Sequence, residues 1–176
     1  LDGLKRAPAV TIDALSKSEI EQLAASDPAL VPLLSEHHPA RQVTRNLFRL
    51  ARVALQPVAE PLPRTEAEMA TQWWSSADGK RDAGWRDRAR LLGDLARQAL
   101  AGPDLLDVST QPAQAIDALV RSGTLRSVGA SRVSFRHDVL REWAIACVLR
   151  EDAGLIDQLG LSRPAPATHA RGTELA

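Results

Sequence analysis

Apolar residues recur along this chain mainly at three- and four-residue spacing, the period of an amphipathic helix, and alternate with polar residues in only a few short stretches. The first alternating stretch, Val10-Thr11-Ile12, is β-prone and leads into Asp13-Ala14-Leu15-Ser16. Glu19 follows Ser16 by three residues, the spacing of a capping box, so a helix starts there with Ile20, Leu23 and Ala24 as its stripe and stops at Asp27-Pro28. A lone strand feeding a helix is not stable by itself, so residues 1–12 read as the last strand of a sheet whose other strands lie upstream.

A short apolar helix over Leu30–Leu34 precedes Glu36-His37-His38-Pro39. A longer one is expected from about Ala40 to Gln56, carrying Val43, Leu47, Leu50, Ala51 and Ala54. Pro57, Pro61 and Pro63 then break the chain, and Thr65-Glu66 opens a helix bearing Met69, Trp73 and Trp74. The polar, turn-rich stretch from Ser75 to Gly84 reads as a subdomain boundary.

The second half has another rhythm. A helix from about Trp85 to Ala101 puts Leu91, Leu92, Leu95, Ala96 and Ala99 on one face and ends at Gly102-Pro103. A second, about Pro112 to Ser122, carries Ile116, Leu119 and Val120, with Gly123 at its C-terminal left-handed position. Leu125–Val128 and Arg132–Arg136 alternate around Gly129-Ala130-Ser131 and predict a hairpin. A strongly amphipathic helix from about Asp138 to Arg150 follows, with Val139, Leu140, Trp143, Ala144 and Cys147 inward. Helix, helix, hairpin, helix is the order of a winged-helix domain. The expected fold is therefore mainly α, a helical bundle over residues 13–79 followed by a winged helix with a small β-hairpin wing over 84–152. Residues 153–176, with Pro164 and Pro166, read as a linker.

Composition narrows the partners. Lys plus Arg (22) equals Asp plus Glu (22), and a neutral chain lacks the basic surplus that a phosphate backbone usually demands, so nucleic acid is not an expected partner. The single cysteine, Cys147, excludes an internal disulfide framework and reads as a buried core thiol. No run nears the roughly 20 apolar residues that cross a bilayer. The chain opens at Leu1-Asp2-Gly3 with neither initiator methionine nor signal peptide, which reads as a cytoplasmic protein cut from a longer one.

Candidate chemistry is sparse. The sequence holds no Gly-x-x-x-x-Gly-Lys-Ser/Thr loop, no dinucleotide fingerprint and no metalloprotease helix. His37-His38 has no ligand set nearby and reads as an exposed loop pair, and His169 in the Pro/Ala-rich tail takes no role. Trp73, Trp74, Trp85 and Trp143 read as packing residues before a base-stacking surface. Arg126, Arg132 and Arg136 alternate as on one solvated hairpin face. The informative element is Phe135-Arg136-His137-Asp138, where a strand turns directly into a helix. Asp138 there suits the positive helix end and can cap backbone amides. His137 is placed to donate to an anion such as a phosphate.

These residues carry a family resemblance. The chain resembles the C-terminal half of the signal-transducing STAND ATPases, which include the NACHT and NB-ARC proteins. Their winged helix carries Met-His-Asp between wing and following helix; here Arg136 stands for the methionine, followed by His137-Asp138 and Leu140-Arg141-Glu142-Trp143-Ala144. Val10–Ser16 with Glu19 and Leu23 is similar to the last core strand entering the helical lid. Arg45-Asn46-Leu47-Phe48-Arg49-Leu50 resembles the lid segment that often reads Asn-Pro-Phe-x-Leu, with Leu47 in the proline's place.

The resemblance implies that His137 contacts the β-phosphate of bound ADP in a closed, inactive state, that Asp138 supports the loop, and that Leu47 and Phe48 lie on the base side. It implies ADP/ATP as ligand, with magnesium and hydrolysis belonging to an upstream P-loop domain of the same chain, and a homo-oligomer on activation. This stretch would itself be non-catalytic. The alternative from the residues alone is a winged-helix module that binds DNA or protein without nucleotide; its second helix, Gln114 to Arg121, offers only Asp117 and Arg121 as charged side chains.

Overall fold

The computed structural model describes residues 14–55, 61–77, 82–158 and 172–175. The chain is mainly helical and forms two compact units, Leu1–Thr65 and Glu66–Ala176. The β-prone stretch 10–12 and His169 lie outside the described residues.

In the first unit, α1 spans Lys17–Ser26 and begins with the expected capping box: Glu19 N donates to Ser16 Oγ, and Ser16 N donates to Glu19 Oε2 at 2.8 Å. Asp27 ends it, and its side chain accepts from Ala29 N to start a single 3-10 turn, Pro28–Leu30, that leads into α2, Val31–Leu34. The single helix expected over 40–56 is two, α3 (Arg41–Thr44) and α4 (Leu47–Ala54). Asn46 makes the break: its side chain accepts from Arg49 N at 3.2 Å and so caps a new helix. The carbonyl of Arg45, released by that break, accepts the Leu15 N–H at 2.7 Å. Leu15, Ala40, Val43, Leu50 and Val53 form the buried set.

The second unit opens with α5 (Glu66–Ser76) and continues with α6 (Trp85–Leu100), β1 (Leu106–Asp107), α7 (Ala113–Arg121), β2 (Leu125–Ser127), β3 (Arg132–Phe135), α8 (Asp138–Glu151) and α9 (Gly154–Gln158). Sequence patterning assigns α5 to the upstream bundle; in the structure it packs on α8 within this unit. Trp73 and Trp143 have ring centroids 6.0 Å apart, and Trp143 Nε1 donates to Glu66 Oε1. Arg150 Nη2 donates to Thr71 Oγ1 and the Cys147 thiol to Ala70 O. Two adjacent tryptophans on α5 need apolar cover, and α8 supplies it.

Helix α8 departs from the expected amphipathic pattern. Every residue from Trp143 to Leu149 is buried, as befits a central helix covered on all sides. Helix α6 packs along it, and the backbone of Gly172 approaches Ile145 so closely that a β-carbon there would meet Ile145 Cγ2 at 2.7 Å.

The hairpin forms as the alternation predicts, with Leu125 opposite Phe135 and Arg126 opposite Ser134, and gains a third strand. Strand β1 pairs antiparallel with β3, Leu106 opposite Val133 and Asp107 opposite Arg132, giving the order β1-β3-β2. Two residues are too few to show a period in sequence. The Gln98 side chain fixes them from α6, accepting from Asp107 N at 2.8 Å and donating to Asp107 O at 3.0 Å. Gly123 takes a φ of 82°, the left-handed conformation expected after α7. Among the described residues no helix is long and apolar enough to cross a membrane.

Candidate functional site

The junction of β3 and α8 is built from below by three buried β3 residues. Val133, Ser134 and Phe135 hold the strand, Arg136 N donates to Thr124 O at 2.9 Å, and the chain enters α8 at the next two positions. His137 is the N-cap of α8, with φ −133° and ψ 141°, and its side chain makes no capping hydrogen bond. Its carbonyl accepts from Leu140 N at 3.0 Å, closing the first turn. Asp138 is the first helical residue. Arg136, His137 and Asp138 are all exposed. A 14-residue helix thus presents its partly positive end, a histidine and an arginine to solvent, with one carboxylate beside them.

What holds that end of α8 in place was not legible in the sequence. Arg141, in the first turn's wake, pairs with Asp104 and donates through Nη2 to the carbonyls of Ala99, Gly102 and Pro103 at 3.2–3.3 Å. A cation beside the C-terminal end of α6 complements the helix dipole. The Arg141 side chain is 11% exposed, while its partner Asp104 is 89% exposed, so the ion pair itself meets water. Arg141 is a positioning residue for the junction.

Leu47 and Phe48 belong to the first unit and open α4 behind the Asn46 cap. Leu47 is 48% exposed. Phe48 is half-buried, and the Arg52 guanidinium lies 5.5 Å from its ring centroid, within cation–π range.

The remaining sequence candidates resolve into structure. Trp73 and Trp143 are buried. Trp74 Nε1 donates to Glu151 Oε1 and Trp85 Nε1 to Ser75 O, and both line a groove of about 500 Å³ along α6 with Gly93, Arg97 and Glu151. Cys147 is buried; burial pushes its thiol up in pKa, against the opposing pull of Arg150, whose Nη2 donates to Sγ at 3.1 Å. His38 Nδ1 accepts from Ala40 N within its own turn. Among the described residues no three His, Cys, Asp or Glu side chains gather as a metal site. Arg126, Arg132 and Arg136 are exposed along the outer face of the sheet.

Comparison of the chain with protein-family models, with curated proteins and with solved structures returns no match.

Proposed function

We propose that this chain is the lid and winged-helix part of a STAND-class, ATP/ADP-dependent signalling switch that closes over ADP held by a P-loop domain of the same polypeptide. In this reading α1–α4 belong to the lid, and the helices and three-stranded sheet from α6 to α8 form the winged helix with β2–β3 as its wing. The observation that carries it is the β3–α8 junction: a buried strand turns directly into a 14-residue helix, with His137 exposed at its N-cap.

The junction suits a phosphate. First-turn amides and the helix dipole favour an anion, and an N–H of His137 can donate to a phosphate oxygen. Arg136 adds a positive charge where the resembled family has methionine. Asp138 opposes the anion directly, so its part is to hold the first turn and not to meet the ligand. Leu47 and Phe48 would cover the base. Magnesium and hydrolysis would belong to the P-loop domain.

The energetics are within reach of one contact acting with others. A charge-assisted histidine–phosphate bond contributes roughly 1.5–3 kcal/mol, against about 5.5 kcal/mol needed to invert a 1:99 equilibrium. His137→Ala in the full-length protein is therefore expected to weaken ADP about ten- to hundredfold and to favour the open, oligomerising state. Fluorescent-ADP dissociation and size-exclusion chromatography read both; wild-type dissociation and wild-type assembly in the variant would overturn the reading.

A further inference from the structure

The chain is neutral overall, yet its charges are not evenly placed. Between Asp117 and Asp138 the sequence holds four arginines and no carboxylate. Register puts three of them on one face. Leu125, Val133 and Phe135 point inward and are buried, so the intervening Arg126, Arg132, Ser134 and Arg136 share the opposite face. All three arginines are exposed. Arg132 and Arg136 stand four residues apart on or just beyond β3, about 13 Å at the rise of a strand. Arg126 is anchored from the neighbouring strand: its Nε donates to Ser134 Oγ at 2.6 Å, which fixes the guanidinium plane and leaves the Nη groups for a ligand. Asp107, opposite Arg132, is the one carboxylate that register sets on this face. Its charge is partly engaged, since Ser109 N donates to it at 2.8 Å and holds its pKa down, with Arg132 contributing.

We infer that the outer face of this three-stranded sheet binds the phosphodiester backbone of duplex DNA through Arg126, Arg132 and Arg136. Three guanidiniums on one face of a rigid sheet, two on or beside β3 and one on β2, complement neighbouring phosphates of a backbone. A lipid surface fits less well, because the apolar side chains of β2 and β3 all face inward and only Val128, 36% exposed, offers an anchor at the turn. The contact is to phosphate and reads no base sequence. It does not rest on the nucleotide reading: His137 takes no part in it, and the two readings share only Arg136.

The test is fluorescence anisotropy of a mixed-sequence duplex DNA with the whole chain across a salt series. Three phosphate contacts give a log–log salt slope of about −2.7, a loss of about 40-fold in affinity between about 50 and 200 mM salt. The triple change Arg126→Gln, Arg132→Gln, Arg136→Gln is expected to flatten the slope by that amount. Arg86→Gln with Arg90→Gln, on the exposed side of α6, should leave it as it is. Asp107→Asn should tighten binding, an outcome that damage to folding does not produce. Absence of binding at low salt, or a triple variant with the wild-type slope, overturns the inference. So does tighter, equally arginine-dependent binding to phosphatidylserine vesicles, which would assign the face to a membrane.

Discussion

Trp143, fully buried at the centre of α8, donates its indole N–H to Glu66 Oε1 in the first turn of α5 at 3.1 Å. The bond spans 77 residues of sequence and joins the two ends of the second unit's helical core. Removing the ring should be costly: Trp143→Ala is expected to destabilise this unit by about 3–5 kcal/mol. Glu66→Ala, which strands the buried donor, should cost about 1–3 kcal/mol. All four tryptophans lie between residues 66 and 176, so intrinsic fluorescence during urea unfolding reports on this unit alone. A Trp143→Ala chain that unfolds at the wild-type midpoint would refute the assignment.

Arg141 should matter beyond its charge. Arg141→Ala removes the ion pair to Asp104 and the bonds to three carbonyls at the end of α6, and is expected to cost about 2–3 kcal/mol. Arg141→Lys keeps the charge but not the planar fork that reaches several acceptors, so it should recover under half of the loss. Full rescue by lysine in the same unfolding assay would mean that charge alone carries the contact.

The Asp82–Arg88 pair makes stability depend on acid. Arg88 Nη1 donates to Asp82 Oδ1 at 2.9 Å and holds that carboxyl below its ordinary 3.8. A group whose folded pKa is lowered stabilises the fold above its unfolded value, and the contribution fades as pH falls through the folded one. Asp82→Asn is therefore expected to lower the melting temperature near neutrality and to converge with wild type below about pH 4. A gap that persists unchanged into acid would rule out this linkage.

Much of this fold is written in local signals. The Ser16–Glu19 capping box, Gly123 after α7 and the alternation around Gly129 each specify their element within a few residues, and each element forms there. What was hidden depends on distant partners. Nothing near Leu106 announces β1, because its pairing comes from β3 and its lock from Gln98. The helix break at Asn46 outweighs a continuous apolar stripe because a side-chain cap and the Leu15 N–H reward it. At the candidate site, the turn of strand into helix at His137 was legible, since residue type and period change together there. The role of Arg141 was not, since its acceptors are backbone carbonyls with no sequence signature.

Asn46 offers a direct check on that break. Asn46→Ala removes the α4 cap and is expected to cost the first unit about 0.5–2 kcal/mol, with loss of helical signal in far-ultraviolet circular dichroism. Asn46→Asp should be tolerated, because a carboxylate caps equally well. An alanine variant of unchanged helicity and stability would show that the cap contributes nothing.

The most direct test of the switch reading is the nucleotide that co-purifies with the full-length protein, wild type against His137→Ala, measured by chromatography after heat denaturation. Near-stoichiometric ADP is expected in the wild type, and clear depletion in the variant. Equal ADP in both proteins, or none in either, would contradict that reading.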